Sequence, residues 1–333
     1  MKSFGFQWHI TDFCNLRCKH CYQTKFNKNS DIPLEKIKFI IDKISETLRD
    51  KKISVNITGG EPFLREDLFD ILFYIEKKNN FKEVNIITNG SVLNEDNIKI
   101  LDKIKKFKYL KLSVESYNKD KNDFIRGKGN LEKVIENIKL FKSLSNKKII
   151  IMITLSMLNY KDLIPFFEFS KDLKVDGVIL ERFVPLGRGK GIFDSYLRKD
   201  EWKDIIRQII YFLDLNISPE ELIQYKAFWI DLEKNKLKGA LCNLGDESMA
   251  IMPDGDIYPC RRLQITIGNI LNEDFSEIIV KLKKFKDKIS ENLKGECKNC
   301  KIKNCKIENC MGCRALTYAV TDDLYEEDPQ CFL

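Results

Sequence analysis

The chain has 333 residues, of which 43% are hydrophobic and 32% charged, and its formal net charge is +7. This length and composition describe a soluble globular protein with a sizeable core and with two domains rather than one. No segment approaches the roughly 18 uninterrupted apolar residues of a membrane span, and the N-terminus lacks the apolar core of a signal peptide. The sequence therefore predicts a cytoplasmic location and no membrane partner.

Short apolar or β-branched runs alternate with longer segments of helical period from Phe4 to about Gly191. This alternation is the signature of βα units that build a parallel sheet. The predicted strands begin near Phe6, Ile53, Val84, Tyr109, Ile149 and Gly177. The predicted helices between them cover residues 33–48, 94–106, 131–144 and 163–173. Six units, with no pattern for a seventh or eighth, predict an α/β fold built on a partial six-unit (β/α) barrel.

The rest of the chain changes character after the sixth predicted strand. Residues 195–238 are predicted to form a helical connection, with 200–213 as its clearest helix. Eight cysteines then fall between Cys242 and Cys331. Few long apolar helices accompany them, which is typical of a small domain organised by metal. We therefore divide the chain into a barrel over 1–194, a connection over 195–238 and a small cysteine-rich domain over 239–333.

Three cysteines directly follow the first predicted strand. Cys14, Cys18 and Cys21 have the spacing Cys-x3-Cys-x2-Cys. Three thiolates on one tight loop can hold three irons of a four-iron cluster and leave the fourth iron open for chemistry. The alternative is part of a structural zinc site, for which His9 and His20 are the nearby candidates for a further ligand. Both interpretations mean metal binding rather than disulfides, because a reducing compartment keeps thiols free.

This cysteine segment resembles the signature of radical S-adenosylmethionine enzymes. In that family the open iron chelates the amino and carboxylate groups of S-adenosylmethionine and cleaves it reductively to a 5′-deoxyadenosyl radical, which abstracts hydrogen from a substrate. The resemblance implies a catalytic role for Cys14, Cys18 and Cys21. It also places His20 over the cluster, at a position where the family usually has an aromatic residue.

Motifs at the ends of later strands extend the resemblance, because barrel active sites are assembled from loops at the carboxyl ends of the strands. Thr-Gly-Gly-Glu-Pro at 58–62 resembles the family's motif for the methionyl amino group. There Gly59 and Gly60 would let the backbone approach the cofactor, and Glu61 would fix its register. Asn89, in Thr-Asn-Gly after the third strand, matches a second family motif, although Asn-Gly alone is ordinary turn chemistry.

The fourth strand and the segment after it add candidate ligands for the cofactor. Ser113 and Glu115 lie on the same face of the strand, and the resemblance assigns both to the ribose hydroxyls. Arg126 resembles the arginine that pairs with the cofactor carboxylate, for which a guanidinium fork is suited. Its alternative is a surface cation. Polar residues near the last two strand ends could meet the adenine or the substrate, or could fill the barrel: Thr154, Ser156, Asn159, Arg182 and Arg188.

The C-terminal cysteines resemble the SPASM pattern, in which a β-hairpin presents cysteines to an auxiliary cluster. Cys242 and Cys260 flank the Asp-Gly pair at 254–255, a strong hairpin signal. The analogy gives two ligand sets, Cys242, Cys260 and Cys313 for the first auxiliary cluster and Cys297, Cys300, Cys310 and Cys331 for the second. Cys305 departs from the usual order of cysteines, and we assign it to the first auxiliary cluster. The alternative is that Cys305 and Cys310 exchange their roles. Zinc could use the same ligands, but the N-terminal motifs favour iron–sulfur clusters.

The resemblance predicts a radical S-adenosylmethionine enzyme with three [4Fe–4S] clusters, one catalytic and two auxiliary. Most relatives with this domain modify ribosomally made peptides, and residues 8–12 look like the opening of maturases for small cysteine-rich peptides. A peptide substrate, with thioether formation as an example, and an external electron donor of flavodoxin or ferredoxin type are therefore expected. The first cysteine is already at position 14, so we expect no preceding peptide-recognition domain. A leader would then bind the small domain, a separate protein or the barrel, for example at an exposed edge of the last barrel strand.

Two other functions are consistent with parts of the sequence. The Cys-Met-Gly-Cys-Arg-Ala segment at 310–315 and the tail at 328–331 also resemble haem-pathway relatives, which makes tetrapyrrole side-chain modification the runner-up. A zinc-stabilised, non-enzymatic interaction protein is the other alternative and requires that iron is absent. The net charge does not predict a nucleic acid partner, because thiolate-bound clusters would remove about five positive charges. Lysine runs on helical patterns are typical of solvated faces.

Overall fold

The computed structural model describes residues 2–242, 244–300 and 310–333. Parallel strands alternate with helices up to Arg182, which confirms the six predicted βα units. The strands are β1 (Ser3–His9), β2 (Lys52–Thr58), β3 (Phe81–Thr88), β4 (Phe107–Ser113), β5 (Lys148–Leu155) and β6 (Gly177–Arg182). The helices are α1 (Leu34–Thr47), α2 (Leu68–Glu76), α3 (Glu95–Lys103), α4 (Lys119–Arg126), α5 (Asn130–Leu144) and α6 (Leu163–Asp172).

The strands separate apolar from polar side chains by simple alternation. In β2, Ile53, Val55 and Ile57 are fully buried and belong to the same core cluster as the buried side of α1. Asn56 and Thr58 point to the opposite face, because successive side chains of a strand alternate. That face lines cavities inside the barrel. The lumen-facing side of β2 is therefore polar, whereas its apolar side belongs to the core between sheet and helices.

One edge of the sheet is extended by a hairpin that the sequence analysis missed. After α7 (Lys199–Phe212) and α8 (Pro219–Leu222), β7 (Ala227–Asp231) pairs antiparallel with β6, and β8 (Lys236–Ala240) pairs antiparallel with β7. The predicted helical connection is correct for α7 and wrong for this hairpin. Phe228 and Ile230 alternate as buried residues, which is the strand signal in this short segment.

This hairpin also corrects the expected peptide-binding edge. The last barrel strand, β6, is paired on one side with β5 and on the other with β7, so it offers no free edge. The outermost strand on this side is β8.

The opposite edge of the sheet is completed by the cysteine-rich domain. β9 (Ser248–Ile251) pairs parallel with β1, and β10 (Asp256–Tyr258) returns antiparallel to β9, as the Asp-Gly hairpin signal predicts. Gly255 has a φ of 88° at the turn, a conformation that glycine adopts without strain. The remaining elements are β11 (Gly268–Asn269), α9 (Phe275–Glu291), α10 (Gly295–Lys298) and α11 (Arg314–Thr321). None of the helices in the described part of the chain has the length and apolar composition of a membrane span.

Candidate active site and cysteine clusters

The loop after β1 carries Cys14, Cys18 and Cys21. All three line one cavity of about 130 Å³ at the carboxyl ends of the barrel strands, which we call the active-site cavity. The loop is held by the hydroxyl of Thr11, which donates a hydrogen bond to Asp31 Oδ2 at 2.7 Å. The structure therefore brings the three predicted ligands of the catalytic cluster together.

Burial disfavours the thiolate form of these three cysteines. It raises the pKa of Cys14 and of Cys21 to about 11, and it raises the pKa of Cys18 although the Arg126 guanidinium acts in the opposite direction. The thiols therefore release protons when they ligate iron. In the described residues, no three His, Cys, Asp or Glu side chains meet closely enough for a single metal ion. A four-iron core separates its cysteine ligands, so thiols around a shared cavity fit a cluster.

Gly59 and Gly60 bring the loop after β2 against the cysteine loop. Gly60 N donates to the Thr11 carbonyl at 2.7 Å. A Cβ on Gly59 would overlap the carbonyl oxygen of Thr11, and one on Gly60 that of Phe13. Both glycines also line the active-site cavity. The contact between the two loops therefore already requires glycine at both positions. The sequence analysis expected the glycines for close approach to the cofactor.

Glu61 lies between the ends of β2 and β3. Its buried carboxylate accepts hydrogen bonds from Thr88 Oγ1 at 2.7 Å, from Asn89 N at 2.8 Å and from Phe63 N at 3.2 Å. Glu61 is not among the described residues that line the active-site cavity. Burial raises the pKa of Glu61 to about 7 in spite of these donors. Glu61 thus ties the ends of β2 and β3 together, and its expected role in fixing the register of the cofactor stays a prediction.

Asn89 and Ser113 both line the active-site cavity. Asn89 Nδ2 donates to Asn15 Oδ1 at 2.9 Å and lies 3.9 Å from Cys14 Sγ, so it also braces the cysteine loop. Ser113 lies on the lumen face at the end of β4. Their roles toward S-adenosylmethionine stay predictions, and their positions allow them.

Arg126 and Glu115 form a buried ion pair beside the active-site cavity. Arg126 Nη2 donates to Glu115 Oε1 at 2.7 Å, and the two side chains are 7% and 1% exposed. His20 Nε2 lies 3.2 Å from the same oxygen, and Thr154 N donates to Oε2 at 2.8 Å. Burial alone would raise the pKa of Glu115, but His20 and Arg126 lower it to about 2. Arg126 is therefore no surface cation. Glu115 holds Arg126 and His20, and its expected role as a ribose ligand stays a prediction.

A second cavity, of about 350 Å³, lies between the barrel lumen and the cysteine-rich domain, and we call it the lateral cavity. Cys242, Cys260 and Cys313, three predicted ligands of the first auxiliary cluster, line it. Burial raises the pKa of Cys242 to about 12, and the thiols of Cys313 and Cys260 act in the same direction, so the three sulfurs lie within electrostatic range of one another. Cys305, the predicted fourth ligand, lies outside the described residues.

Glu181, Arg261 and Arg262 line both cavities and form the partition between them. Arg261 Nη2 forms an ion pair with Glu181 Oε2, and Arg262 Nη1 donates to the Arg182 carbonyl at 2.6 Å. Arg261 also lies 5.8 Å from the ring centroid of Tyr22, which lines the active-site cavity. The sequence analysis missed this partition. Its available signals were two arginines directly after a cysteine and a glutamate near a strand end.

A third cavity, of about 140 Å³, is formed by the C-terminal tail, and we call it the tail cavity. It is lined by the four cysteines predicted for the second auxiliary cluster, Cys297, Cys300, Cys310 and Cys331. Arg314 Nη2 lies 3.7 Å from Cys297 Sγ and can donate a hydrogen bond to a thiolate or a cluster sulfide there. The described cysteines of the domain thus fall into the two groups that the resemblance implies.

Asp328 lies between these two groups. Its Oδ2 accepts a hydrogen bond from Cys313 N at 2.8 Å and pairs with Arg182 Nη1 at 3.0 Å, while Lys226 Nζ lies 3.5 Å away. Asp328 and Lys226 also line the tail cavity. The sequence analysis assigned Asp328 no role, because a contact partner 146 positions away cannot be read from one sequence. The structure shows that it joins the barrel to both cysteine groups.

The fold and the site define a class of enzyme, because a partial (β/α) barrel with a cysteine triplet at the carboxyl ends of its strands is followed by a second array of cysteines. Comparison with family models agrees. The model of the radical SAM superfamily matches residues 8–170, and the model of the iron–sulfur cluster-binding SPASM domain matches residues 242–301.

Individual relatives cover most of the chain. It is 28% identical over 350 residues to the AdoMet-dependent heme synthase of Methanosarcina barkeri (strain Fusaro / DSM 804), with 97% of this chain and 95% of that protein covered. It is 25% identical over 278 residues to the antilisterial bacteriocin subtilosin biosynthesis protein AlbA of Bacillus subtilis (strain 168), with 81% and 58% covered. The crystal structure of Streptococcus suis SuiB bound to precursor peptide SuiA has a TM-score of 0.73 at 18% identity, with 100% and 76% covered, which shows the shared fold.

The chain belongs to the radical SAM superfamily and is an enzyme with a C-terminal SPASM domain. It uses S-adenosylmethionine and a [4Fe–4S] cluster. Its SPASM domain is a further iron–sulfur cluster-binding domain. The zinc-stabilised, non-enzymatic protein is therefore no longer an alternative.

Proposed function

We propose that this enzyme modifies a ribosomally synthesised peptide, for example by forming a thioether in a cysteine-rich peptide. The observation that carries the proposal is the structural likeness to SuiB, which extends over 100% of this chain. The SuiB structure was solved with its precursor peptide SuiA bound. AlbA, a subtilosin biosynthesis protein that aligns with 81% of the chain, supports the same class of substrate. A separate leader-binding protein remains part of the proposal, because the edge of β6 is occupied by β7.

We assign three [4Fe–4S] clusters to the three cysteine groups. The catalytic cluster is held by Cys14, Cys18 and Cys21 in the active-site cavity. The first auxiliary cluster is held by Cys242, Cys260 and Cys313 with Cys305, and the second by Cys297, Cys300, Cys310 and Cys331. When bound, the reduced catalytic cluster and S-adenosylmethionine supply the radical that removes hydrogen from the substrate.

The protein's own residues position the cofactor and protect the reaction. Asn89, Ser113 and Arg126 line the active-site cavity together with both glycines, and we assign them to binding S-adenosylmethionine. Glu115 orients Arg126 through the buried ion pair. The barrel wall excludes water and competing hydrogen donors from the cavity. An external one-electron donor of flavodoxin or ferredoxin type completes the system, and we place the enzyme in the cytoplasm, where its thiols stay reduced.

The test is co-expression with each short cysteine-rich peptide that the same genome encodes near the gene, if any, and otherwise with a panel of short cysteine-rich peptides, followed by mass spectrometry of each peptide. We expect one peptide to lose two hydrogens for each new bond, and to lose none with the Cys18→Ala variant. Circular dichroism of the Cys18→Ala variant is the control. If this variant is folded but inactive, the loss of activity comes from the missing cluster ligand and not from unfolding. A survey that finds no altered peptide, while S-adenosylmethionine is still cleaved, would contradict the peptide assignment.

Tetrapyrrole side-chain modification is the second candidate. One observation favours it, the 28% identity to a heme synthase over 97% of this chain and 95% of that protein. Titration with a porphyrin that carries propionate side chains distinguishes the two candidates. A saturable shift of the porphyrin absorbance, followed by loss of carboxyl mass from the porphyrin, would favour this reaction over peptide modification.

A further inference from the structure

We propose that the ammonium group of Lys226 raises the reduction potentials of both auxiliary clusters. Lys226 lies between the two groups of cysteines assigned to these clusters, so one positive charge acts on both sites. The inference rests on the proposed assignment of the clusters to the lateral and tail cavities. It goes beyond the proposed reaction, because it concerns electron affinity and holds for a peptide and a tetrapyrrole substrate alike.

Lys226 borders both cavities of the cysteine-rich domain. It directly precedes β7, and among the described residues it alone lines the lateral cavity as well as the tail cavity. Its side chain is 12% exposed, so protein rather than bulk water surrounds most of it. Water screens a charge in such a place less than it screens a surface charge. The ammonium is therefore placed to act on groups in both cavities.

Asp328 places this ammonium beside one cysteine of each group. Lys226 Nζ lies 3.5 Å from Asp328 Oδ2. The same oxygen accepts a hydrogen bond from Cys313 N at 2.8 Å, and the Asp328 carbonyl accepts one from Cys331 N at 2.9 Å. Cys313 belongs to the lateral cavity and Cys331 to the tail cavity. One residue thus connects the cation with a predicted ligand of each auxiliary cluster.

The thiols on both sides lie within electrostatic range of Lys226. Burial raises the pKa of Cys242 to about 12 and also raises the pKa of Cys331, whereas the Lys226 ammonium acts in the opposite direction on both thiols. A nearby cation stabilises the more negative form of a group. Reduction of an iron–sulfur cluster adds one negative charge, and cluster potentials depend on the charges around the cluster. The same cation should therefore favour the reduced form of each auxiliary cluster.

The structural role of Asp328 depends mainly on groups other than Lys226. Its carboxylate pairs with Arg182 at 3.0 Å and accepts the backbone N–H of Gln330 at 3.0 Å, both closer than the Lys226 ammonium. The backbone of Lys226 is held separately, because its N–H donates to the Ala240 carbonyl at 2.7 Å. Removal of the Lys226 charge should therefore change the electrostatics between the cavities more than the fold.

The test is a redox titration of holoenzyme, purified without oxygen and followed by EPR spectroscopy. Lys226→Met keeps most of the length of the side chain and removes its charge. At a fixed potential, the ratio of reduced to oxidised auxiliary cluster should fall about tenfold in this variant, as expected for loss of a unit charge at close range in a poorly screened site. For one electron this change equals a potential lower by about 60 mV. Lys226→Arg, which keeps the charge, should stay close to the wild type.

Two controls separate a local charge effect from a general one. The catalytic cluster is the internal control, because Lys226 is not among the described residues that line the active-site cavity. Its signal is identified by its loss when Cys14, Cys18 and Cys21 are all replaced by Ala, and its potential should not change in Lys226→Met. The matched variant is Lys236→Met, which removes an exposed lysine of β8 that is not among the described residues lining either cavity. It should leave all three potentials unchanged.

Four results would overturn the inference. They are unchanged auxiliary potentials in a Lys226→Met variant with the same iron per chain as the wild type, an equal shift of all three clusters, an equal shift in Lys226→Arg, and a shift of only one auxiliary cluster.

Iron per chain covers the variants that fail to assemble and separates this inference from the cluster assignment. Loss of auxiliary iron in both Lys226→Met and Lys226→Gln would overturn the inference, because Lys226 would then be required for assembly. About twelve irons in the wild type with unchanged potentials in the variants would refute the role of Lys226 alone. About four irons in the wild type would refute the assignment of the auxiliary clusters, and this inference with it.

Discussion

Arg182 and Asp328 form an ion pair at 3.0 Å although 146 positions separate them in sequence, and both side chains are 1% exposed. Arg182 ends β6, the last of the six barrel strands, and its guanidinium lies 4.1 Å from the ring centroid of Trp202. Asp328 accepts the backbone N–H of Cys313 at 2.8 Å and that of Gln330 at 3.0 Å. One buried contact thus connects the catalytic barrel with both groups of C-terminal cysteines.

Asp328→Asn should destabilise the protein and loosen the auxiliary sites. The substitution leaves Arg182 as a buried cation without its counter-charge, a loss of about 3 kcal/mol in the free energy of unfolding. The backbone of Cys313 also loses a charged acceptor. We expect a lower midpoint in urea titrations followed by tryptophan fluorescence, together with fewer irons per chain.

The matched control for Asp328 is Asp323→Asn, in the same C-terminal segment. Asp323 pairs with Lys294 at 2.6 Å, but the two side chains are 30% and 52% exposed. An exposed pair of this kind contributes little to stability, because water screens the two charges. Equal urea midpoints for the two variants would show that the Arg182 contact has no special role.

Gly60→Ala should displace the cysteine loop. The new Cβ would overlap the carbonyl oxygen of Phe13, which belongs to backbone rather than to a flexible side chain. We expect the variant to lose about four irons per chain and the cleavage of S-adenosylmethionine, while the auxiliary clusters stay loaded. Gly191→Ala is the control, because no atom lies within 4 Å of its Cβ position. Full iron loading in Gly60→Ala would contradict the predicted overlap.

Glu61→Gln should lower stability because both carboxylate oxygens accept hydrogen bonds. The amide NH₂ group would face Thr88 or Asn89 N, both of which donate to the present carboxylate. We expect a loss of about 1–3 kcal/mol in the free energy of unfolding and weaker binding of S-adenosylmethionine in equilibrium dialysis. Glu66→Gln, whose side chain is 91% exposed, should leave both quantities unchanged. A Glu61 variant as stable as the Glu66 variant would refute the structural tie.

The periodic parts of the structure were accessible from sequence. Alternating apolar residues such as Ile53, Val55 and Ile57 predicted the strands. The helical repeats between the strands predicted the order of βα units in the barrel. The spacing of the first three cysteines predicted the catalytic loop. The family resemblance predicted the two groups of cysteines in the C-terminal domain. These features are local, so each can be read from a few neighbouring residues.

The remaining features depend on contacts between distant residues. A motif indicates that Glu61 and Glu115 are carboxylates near strand ends, but not whether their oxygens face a cavity or protein donors. The hairpin of β7 and β8 is too short for a strong periodic signal. The ion pair between Arg261 and Glu181 becomes visible only once the fold brings these two residues together.

Iron, acid-labile sulfide and zinc per chain, measured in protein purified without oxygen, test the account most directly. The wild type and a variant with Cys14→Ala, Cys18→Ala and Cys21→Ala should be compared. We predict about twelve irons with matching sulfide in the wild type and about eight in the variant, which should also lose S-adenosylmethionine cleavage. Zinc in place of iron, or an iron content unchanged by loss of the triplet, would contradict the assignment of the catalytic cluster.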